Sequence, residues 1–200
     1  MVENYSGEYK EPLVFHPPVP FWLLNGGSGI AVAVYYGVPP HNARQVFRLV
    51  EEYINKKGQL SVEEAVEILG GPDYIQGGVL VSSKEDLINL YKTGKGSLEF
   101  RCSYHYEEID NKHVLVITGA APGIKLNKLL QKLQDLVDQN ILEYVNDVSG
   151  KDIRILVGFT SKRLLEKRVL PLLRSRINYN FALTIKQNDG SALFREVSLL

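Results

Sequence analysis

Residues 24–36 read Leu-Asn-Gly-Gly-Ser-Gly-Ile-Ala-Val-Ala-Val-Tyr-Tyr, and this stretch organises the predicted fold of the 200-residue chain. A glycine-rich turn is followed by an unbroken run of apolar, β-prone residues. Because glycine adopts positive φ without steric cost, the pattern predicts a β-hairpin with glycines at its tip. Composition alone favours Ile30 as a core strand residue. An apolar residue among glycines on such a tip can also be pushed between DNA base steps.

The flanking sequence predicts a mixture of helices and strands. Capping signals open three helices, at Asn42 with Gln45, Ser61 with Glu64 and Ser83 with Asp86. Leucines at helical spacing predict a helix over 126–137, and a basic helix begins near Ser161 and is kinked or ended by Pro171. Strands are predicted over 78–82, 97–109, 113–118, 141–148 and 153–159, with a final hairpin over 181–187 and 192–197. Short connections predict mainly antiparallel pairing and therefore the α+β class.

The first 22 residues differ in composition from the rest. They contain four prolines and several aromatic residues, and each proline biases its predecessor away from helix. We expect residues 1–22 to form an extended arm and residues 23–200 to form one domain.

Composition excludes several classes of protein. A single cysteine, Cys102, excludes a disulfide framework and a multi-cysteine zinc site. No run of about 18 apolar residues is present, and the polar, acidic N-terminus has no signal pattern, so a cytoplasmic location without a membrane partner is expected. The four histidines, at positions 16, 41, 105 and 113, lack metal-ligand spacing, and we expect no metal ligand in the chain.

Two glycine-rich segments fail the tests for nucleotide-binding loops. Val32 stands where the third glycine of G-x-G-x-x-G is needed, and Asn89 stands where a P-loop ending at Gly94-Lys95 needs its first glycine. No nucleophilic serine flanked by glycines or Cys–His pair is apparent either. The residues themselves therefore do not predict a self-contained enzyme or a cofactor bound to this chain.

Charge is balanced overall but unevenly distributed. The chain has 23 basic and 23 acidic residues, a balance that argues against nucleic acid as the main partner. From Lys151 to Arg176, however, eight basic residues accompany only Asp152 and Glu166. Such a run is typical either of a solvated helix face or of a surface that faces DNA.

A chain of short motifs resembles the A subunits of type IIA DNA topoisomerases, which are DNA gyrase and topoisomerase IV. Residues 24–32 resemble the family's L-x-N-G-S-S-G-I-A-V, and Pro39-Pro40-His41-Asn42 resembles I-P-P-H-N. Further matches follow in the same order: Gly71-Pro72-Asp73-Tyr74 resembles G-P-D-F, and residues 91–97 resemble Y-R-T-G-R-G-S. The resemblance covers essentially the whole chain.

The resemblance implies a function and a set of site residues. In that family, two A subunits and two B-type ATPase subunits pass one duplex through a transient break in another, using ATP and Mg²⁺ held by the B subunit. The matched region is the tower of the breakage-reunion core, which binds and bends the duplex, and the catalytic tyrosine lies upstream of it. The resemblance assigns intercalation to Ile30, no catalytic residue to this chain, and DNA contact to Ser28, Gly29, His41, Asn42, Lys92, Lys95 and Lys125.

Several positions depart from the family pattern. Ser6 replaces an aspartate, residues 33–37 are bulkier than G-M-A-T-N, and residues 119–123 replace E-I-P-Y-Q, so that Lys125 is the nearest substitute for a family lysine. Lysine in place of arginine at Lys92 and Lys95 loses bidentate phosphate geometry. The alternative is therefore a structural or interaction fragment that binds DNA only beside its winged-helix neighbour. The sequence does not separate gyrase from topoisomerase IV.

Overall fold

The computed structural model describes residues 1–12, 19–31, 34–109, 111–186 and 192–196. Within these residues every pair of strands is antiparallel, and helices alternate with strands along the chain. The predicted α+β class is confirmed. No helix in this part of the chain is long and apolar enough to cross a membrane.

The helices are short and lie mostly in the first 140 residues. They are α1 (Phe21–Asn25), α2 (Ala43–Asn55), α3 (Val62–Leu69), α4 (Lys84–Thr93), α5 (Leu126–Asp138) and α6 (Lys162–Leu164). A π-helical turn (Leu165–Val169) and a 3₁₀ turn (Leu170–Leu173) continue α6.

The strands form two larger sheets and two isolated pairs. They are β1 (Val2–Glu3), β2 (Lys10–Glu11), β3 (Gly27–Ala31), β4 (Val34–Val38), β5 (Val79–Leu80), β6 (Lys95–Arg101), β7 (Ser103–Ile109), β8 (Lys112–Gly119), β9 (Tyr144–Asp147), β10 (Ile155–Gly158), β11 (Arg174–Asn180), β12 (Ala182–Lys186) and β13 (Ala192–Glu196). One sheet has the order β3-β4-β11-β6-β5, and the other has the order β7-β8-β10-β9. β1 pairs with β2, and β12 pairs with β13.

Local capping chemistry explains where α3 and α4 begin and end. Reciprocal capping boxes, Ser61 with Glu64 and Ser83 with Asp86, satisfy backbone groups at their N-termini as predicted. Gly70 and Gly94 end the two helices in the left-handed conformation. At α2 the predicted box is wrong, because the Asn42 side chain accepts a hydrogen bond from the Arg44 N–H and Gln45 takes no reciprocal part.

A buried junction joins the two larger sheets. The predicted strand over 97–109 is in fact two strands, because the chain leaves one sheet and enters the other at Cys102. Cys102 is fully buried, its N–H donates to the Leu173 carbonyl at 2.7 Å, and its Sγ accepts from the Ala121 N–H at 3.4 Å. Burial raises the pKa of this thiol, which is consistent with a structural residue. The apolar core runs through both sheets across this junction.

Three other local predictions differ from the structure. The glycines of residues 26–29 lie at the base of the hairpin and in β3, not at its tip, and residues 32–33, which connect β3 to β4, lie outside the described residues. Strand β11 was not predicted, although it is the central strand of the five-stranded sheet. The predicted arm contains the β1–β2 pair and the start of α1, while residues 13–18 also lie outside the described part; the domain boundary itself stays a prediction.

Candidate nucleic-acid interface

Ile30 lies near the end of an edge hairpin with its side chain in solvent. It pairs with Tyr35, one residue pair from Ala31–Val34, the last pair of the described hairpin. Its side chain is 89% exposed, so the expectation from composition that Ile30 is a core residue is wrong. Among the described strands, β3 is the edge of its sheet, and edge strands offer unpaired backbone groups to a partner.

The glycines of β3 make room for an aromatic ring. Gly29 pairs with Tyr36 of β4, and a Cβ atom added to Gly29 would collide with the Tyr36 ring. At Gly27 the same ring would be 3.8 Å from an added Cβ, an ordinary contact. The Tyr36 ring therefore lies across the glycine face of an edge strand, an arrangement known to stabilise glycines in sheets.

Gly26 fixes the base of the hairpin. Its φ of 63° and ψ of −170° belong to a region that is essentially restricted to glycine. A Cβ atom at this position would be 2.6 Å from both the Val38 carbonyl oxygen and the Pro40 nitrogen. The two ends of the hairpin thus pack backbone against backbone.

His41 follows the hairpin and is buried, with 4% of its surface exposed. Its Nδ1 lies 3.0 Å from the Leu23 carbonyl, which can only accept, so Nδ1 carries the proton. Its Nε2 therefore accepts from the Tyr91 hydroxyl at 2.6 Å. Burial lowers the pKa of His41 to about 4, which keeps the ring neutral at pH 7. In this position His41 connects α1, the end of the hairpin and α4.

Asn42 connects the same region to the loop after α3. Its Oδ1 caps α2 by accepting from the Arg44 N–H, and its Nδ2 donates to Asp73 Oδ2 at 3.0 Å. The Asp73 N–H in turn donates to the Pro40 carbonyl at 2.9 Å. The loop that carries the Gly71–Tyr74 motif is thereby held against the hairpin base.

Sheet register places Ser28 and Lys95 in one row across four strands. Ser28 pairs with Gly37, Gly37 with Asn180, and Asn180 with Lys95. Three strand spacings of about 4.8 Å put the two backbones about 14 Å apart. Residues separated by more than 60 positions in sequence therefore lie in one row of the sheet that carries Ile30.

Lys92 lies three residues before Lys95, at the C-terminal end of α4. Its Nζ forms a 3.0 Å ion pair with Glu63, and both side chains are more than 45% exposed. The hydrogen bond and charge of Lys92 contribute to lowering the pKa of Glu63, after the larger effect of the Glu63 backbone amide. A phosphate that reached Lys92 would compete with this carboxylate for the ammonium group.

A cleft of about 900 Å³ lies beside the hairpin base. Its lining includes Ser28, Asn42, Asp73 and the turn at Pro122-Gly123. Lys125 is exposed two residues after this turn and is the N-cap residue of α5. The structure thus brings the predicted residues Ser28, Asn42 and the segment before Lys125 to one cleft.

Three partners of these residues were not predicted from the sequence. Tyr91 and Asp73 belong to the matched motifs, but the motifs do not show that these residues hold His41 and Asn42 in place. Asn180 lies on β11, the strand that was not predicted. A signal for that strand is present in the alternation of Ile177, Tyr179 and Phe181, of which Tyr179 and Phe181 are buried.

The sequence matches the family of A subunits of DNA gyrase and topoisomerase IV over residues 1–191. It is 33% identical to the DNA gyrase A subunit of Chlamydia pneumoniae over 163 residues, which are 78% of this chain and 19% of that protein. It is 32% identical to the DNA topoisomerase 4 A subunit of Caulobacter vibrioides over 165 residues, with coverages of 80% and 22%. For the DNA gyrase A subunit of Streptomyces coelicolor the identity is 32% over 179 residues, with coverages of 88% and 20%. The chain thus spans about a fifth of the length of these curated relatives.

Proposed function

The chain belongs to the family of DNA gyrase and topoisomerase IV A subunits, and we propose that it holds and bends duplex DNA during double-strand passage. In this proposal it is the tower region of such a protein in the bacterial cytoplasm. It works with B-type subunits, which supply ATP hydrolysis and Mg²⁺, and with a second A subunit. Cleavage itself belongs to a tyrosine outside this chain.

The observation that carries the proposal is the exposure of Ile30. Fully burying an isoleucine side chain is worth about 1.5–3 kcal/mol, and unstacking one base step costs a few kcal/mol. The gain from burying Ile30 is therefore close to the cost of unstacking the bases. Phosphate contacts on either side then decide whether the duplex bends. An 89% exposed isoleucine on an edge hairpin has the shape and chemistry for that insertion.

The hairpin base has the rigidity that a wedge requires. Gly26 packs against the backbone of Val38 and Pro40, and His41 is hydrogen-bonded on both ring nitrogens. A wedge on a mobile support would move aside before the stacked bases separated. We therefore assign His41 and Asn42 to positioning the hairpin, since His41 is buried and Asn42 is committed to Arg44 and Asp73.

Phosphate contacts in this proposal come from the row that contains Ser28 and Lys95, together with Lys92 and Lys125. Ser28 and Lys95 lie on the same sheet as Ile30. Lys92 lies in the last turn of α4, three residues before Lys95. Gly29 adjoins Ile30 on the same strand, and its contact with DNA in this proposal is through the backbone, because the Tyr36 ring occupies its side-chain position. Affinity dominated by such contacts falls with rising salt.

The second candidate function is a structural fragment that binds DNA only together with the neighbouring winged-helix domain. One observation favours it: the amine of Lys92 is already neutralised by Glu63. Under this alternative the isolated chain folds but has no measurable affinity for DNA at low salt.

Energy transfer between the ends of a duplex of about 30 base pairs tests the proposal, because DNA of this length is straight unless a protein bends it. Three proteins are titrated: the wild type, Ile30→Ala, and Ile54→Ala as a control that removes another exposed isoleucine, on α2. We expect the wild type and Ile54→Ala to shorten the end-to-end distance. Ile30→Ala should bind within about tenfold of wild type and bend less. If Ile30→Ala bends the duplex as much as the wild type does, Ile30 is not the wedge. If none of the three proteins binds the duplex, the structural fragment is favoured.

A further inference from the structure

Apart from the exposed Lys151, the basic residues of the run from Lys151 to Arg176 separate into two groups in the structure. Arg154 forms a bidentate ion pair with Glu107, with N–O distances of 3.0 and 2.6 Å. Glu99 pairs with Arg174 at 2.9 Å and lies 3.9 Å from Arg176. Arg154 and Arg174 are each paired with a carboxylate, and Arg176 shares Glu99 with Arg174.

The second group, which we call the cationic segment, consists of Lys162, Arg163, Lys167 and Arg168. All four side chains are exposed, and within the described part of the chain none has a carboxylate within 4.0 Å. Glu166 is the one acidic residue among them, so residues 162–168 carry a net charge of +3 (four cations less one anion). The overall neutrality of the protein therefore does not describe this surface.

A π-helical turn sets the arrangement of the segment. The Leu170 N–H donates to the Leu165 carbonyl, which is the i→i+5 pattern of a π turn. Leu165 and Val169 are four residues apart and both fully buried, so residues four apart share one side of this turn. Arg163 and Lys167 have the same spacing and are both exposed, as are Lys162 and Glu166. Two cations stacked in this way repel each other, and a bound anion would relieve the repulsion.

An open cleft of about 530 Å³ adjoins Lys162. Lys112 and His113 at the start of β8 line it, together with Tyr106 and Phe159, whose rings meet edge to face at 6.2 Å. Lys112 is partly neutralised by Glu143 at 2.7 Å. Basic side chains beside aromatic rings at one open surface match the phosphates and sugars of a nucleic-acid backbone.

We propose that the cationic segment is a second DNA contact, which holds the phosphate backbone of the duplex beyond the part engaged by the Ile30 hairpin. The hairpin belongs to the five-stranded sheet, and the segment lies in the connection from β10 of the four-stranded sheet to β11. Two of its four cations are arginines, whose planar guanidinium groups bind phosphate through paired hydrogen bonds. This inference rests on the proposed DNA-binding function and adds a contact surface to it.

Salt dependence of DNA affinity tests the inference with two duplexes, of about 20 and about 60 base pairs, since each neutralised phosphate contributes about 0.9 to the slope of log K against log salt. The test variant combines Lys162→Gln, Arg163→Gln, Lys167→Gln and Arg168→Gln. The control variant combines Lys10→Gln, Arg48→Gln, Lys57→Gln and Lys84→Gln, which removes the same charge from other exposed sites. Substitutions at exposed sites change stability little, and circular dichroism verifies the fold of both.

On the long duplex we expect the test variant to lose about 3.6 from the slope, which is about 0.9 for each of the four cations, and at least about tenfold in affinity at moderate salt, while the control loses far less. On the short duplex the two variants should differ little. A variant with Arg163→Lys and Arg168→Lys, which keeps the charge, should retain most of the slope.

Two results would overturn the inference while the proposed function stands. One is that the test variant shows the same salt slope as the wild type on the long duplex. The cationic segment would then be a binding surface for an acidic protein segment rather than for DNA. The other is an equal loss in the control variant, which would mean that net charge acts rather than this surface. If the wild type binds neither duplex, the proposed function fails in this chain and the inference fails with it.

Discussion

The Tyr91 hydroxyl donates a 2.6 Å hydrogen bond to Nε2 of His41, across 50 positions of sequence. Both residues are buried, and the Tyr91 ring stacks on Phe181 with centroids 6.0 Å apart. The Phe181 N–H donates to the Gly94 carbonyl at 2.7 Å. Through this pair the hairpin base, helix α4 and the end of β11 form one rigid unit, which is why a buried histidine matters to a surface hairpin.

Replacing His41 with alanine should destabilise the fold strongly. The substitution leaves the Tyr91 hydroxyl and the Leu23 carbonyl buried without a partner and opens a cavity, so we expect a loss of about 2–4 kcal/mol in the free energy of unfolding. Tyr91→Phe, which removes one hydrogen bond and retains the ring, should cost about 1–2 kcal/mol. Urea unfolding measures both. Equal, small losses would mean that the hydrogen bonds of His41 do not support the fold.

Stability should also depend on the protonation of His41. Its pKa is about 4 in the folded protein and 6.5 in the unfolded chain, so between these values the unfolded chain binds the extra proton. The contribution of the neutral His41 ring to the free energy of unfolding is therefore complete above pH 6.5 and is lost as the pH falls toward 4. The pKa difference corresponds to about 3 kcal/mol.

Urea titrations of wild type and His41→Gln between pH 7.5 and 5 would isolate this effect. Within this range the wild type should lose more stability than the variant, which has no titrating group at this position. Parallel curves for the two proteins would contradict the burial of a neutral His41.

Neighbouring glycines at the hairpin base should respond very differently to substitution. Gly26→Ala places a Cβ atom 2.6 Å from two backbone atoms at a glycine-restricted φ and ψ, and we expect a loss of about 3 kcal/mol or more. Gly27→Ala, the matched control, meets only the Tyr36 ring at 3.8 Å and should change stability by less than about 1 kcal/mol. Thermal unfolding of the two variants decides the point, and comparable losses would refute the assignment.

Local signals in the sequence predicted most of the elements but not their assembly. Capping boxes at Ser61 and Ser83 predicted the starts of α3 and α4 correctly, because the interactions involve residues three apart. The change of sheet at Cys102 left no such local signal, since it depends on contacts with Leu173 and Ala121. Strand β11 follows a basic, proline-containing helix, and the charge of that region obscured its alternating pattern.

The candidate site shows the same division. Ile30 and the residues around it were identified through a resemblance of motifs, and its exposure could not be read from an apolar run in which neighbouring residues look alike. His41 belongs to a motif that suggested DNA contact. Its burial depends instead on Leu23 and Tyr91, which are 18 and 50 positions away in the sequence. The pairing of arginines with Glu99 and Glu107 was likewise invisible in a count of charges.

Glu63 should act as an internal competitor of DNA for Lys92. The two side chains form a 3.0 Å ion pair, and exposed pairs of this kind contribute little to stability, so Glu63→Gln should leave the fold intact. If Lys92 binds phosphate, as proposed, removing the competing carboxylate should tighten DNA binding severalfold and steepen its salt dependence. Lys92→Gln should weaken binding and reduce the slope by about 0.9.

Helix α3 provides a matched control for this prediction. Glu67 lies one turn after Glu63 and pairs with Lys84 of α4 at 2.6 Å, with both side chains at least half exposed. Glu67→Gln removes the same charge from the same helix and releases a lysine to which no DNA contact is assigned. An effect of Glu63→Gln that exceeds that of Glu67→Gln, and that disappears when Lys92→Gln is added, assigns the gain to Lys92. Equal effects of the two glutamate variants mean that DNA senses only the charge of α3, and Lys92 then loses its proposed role.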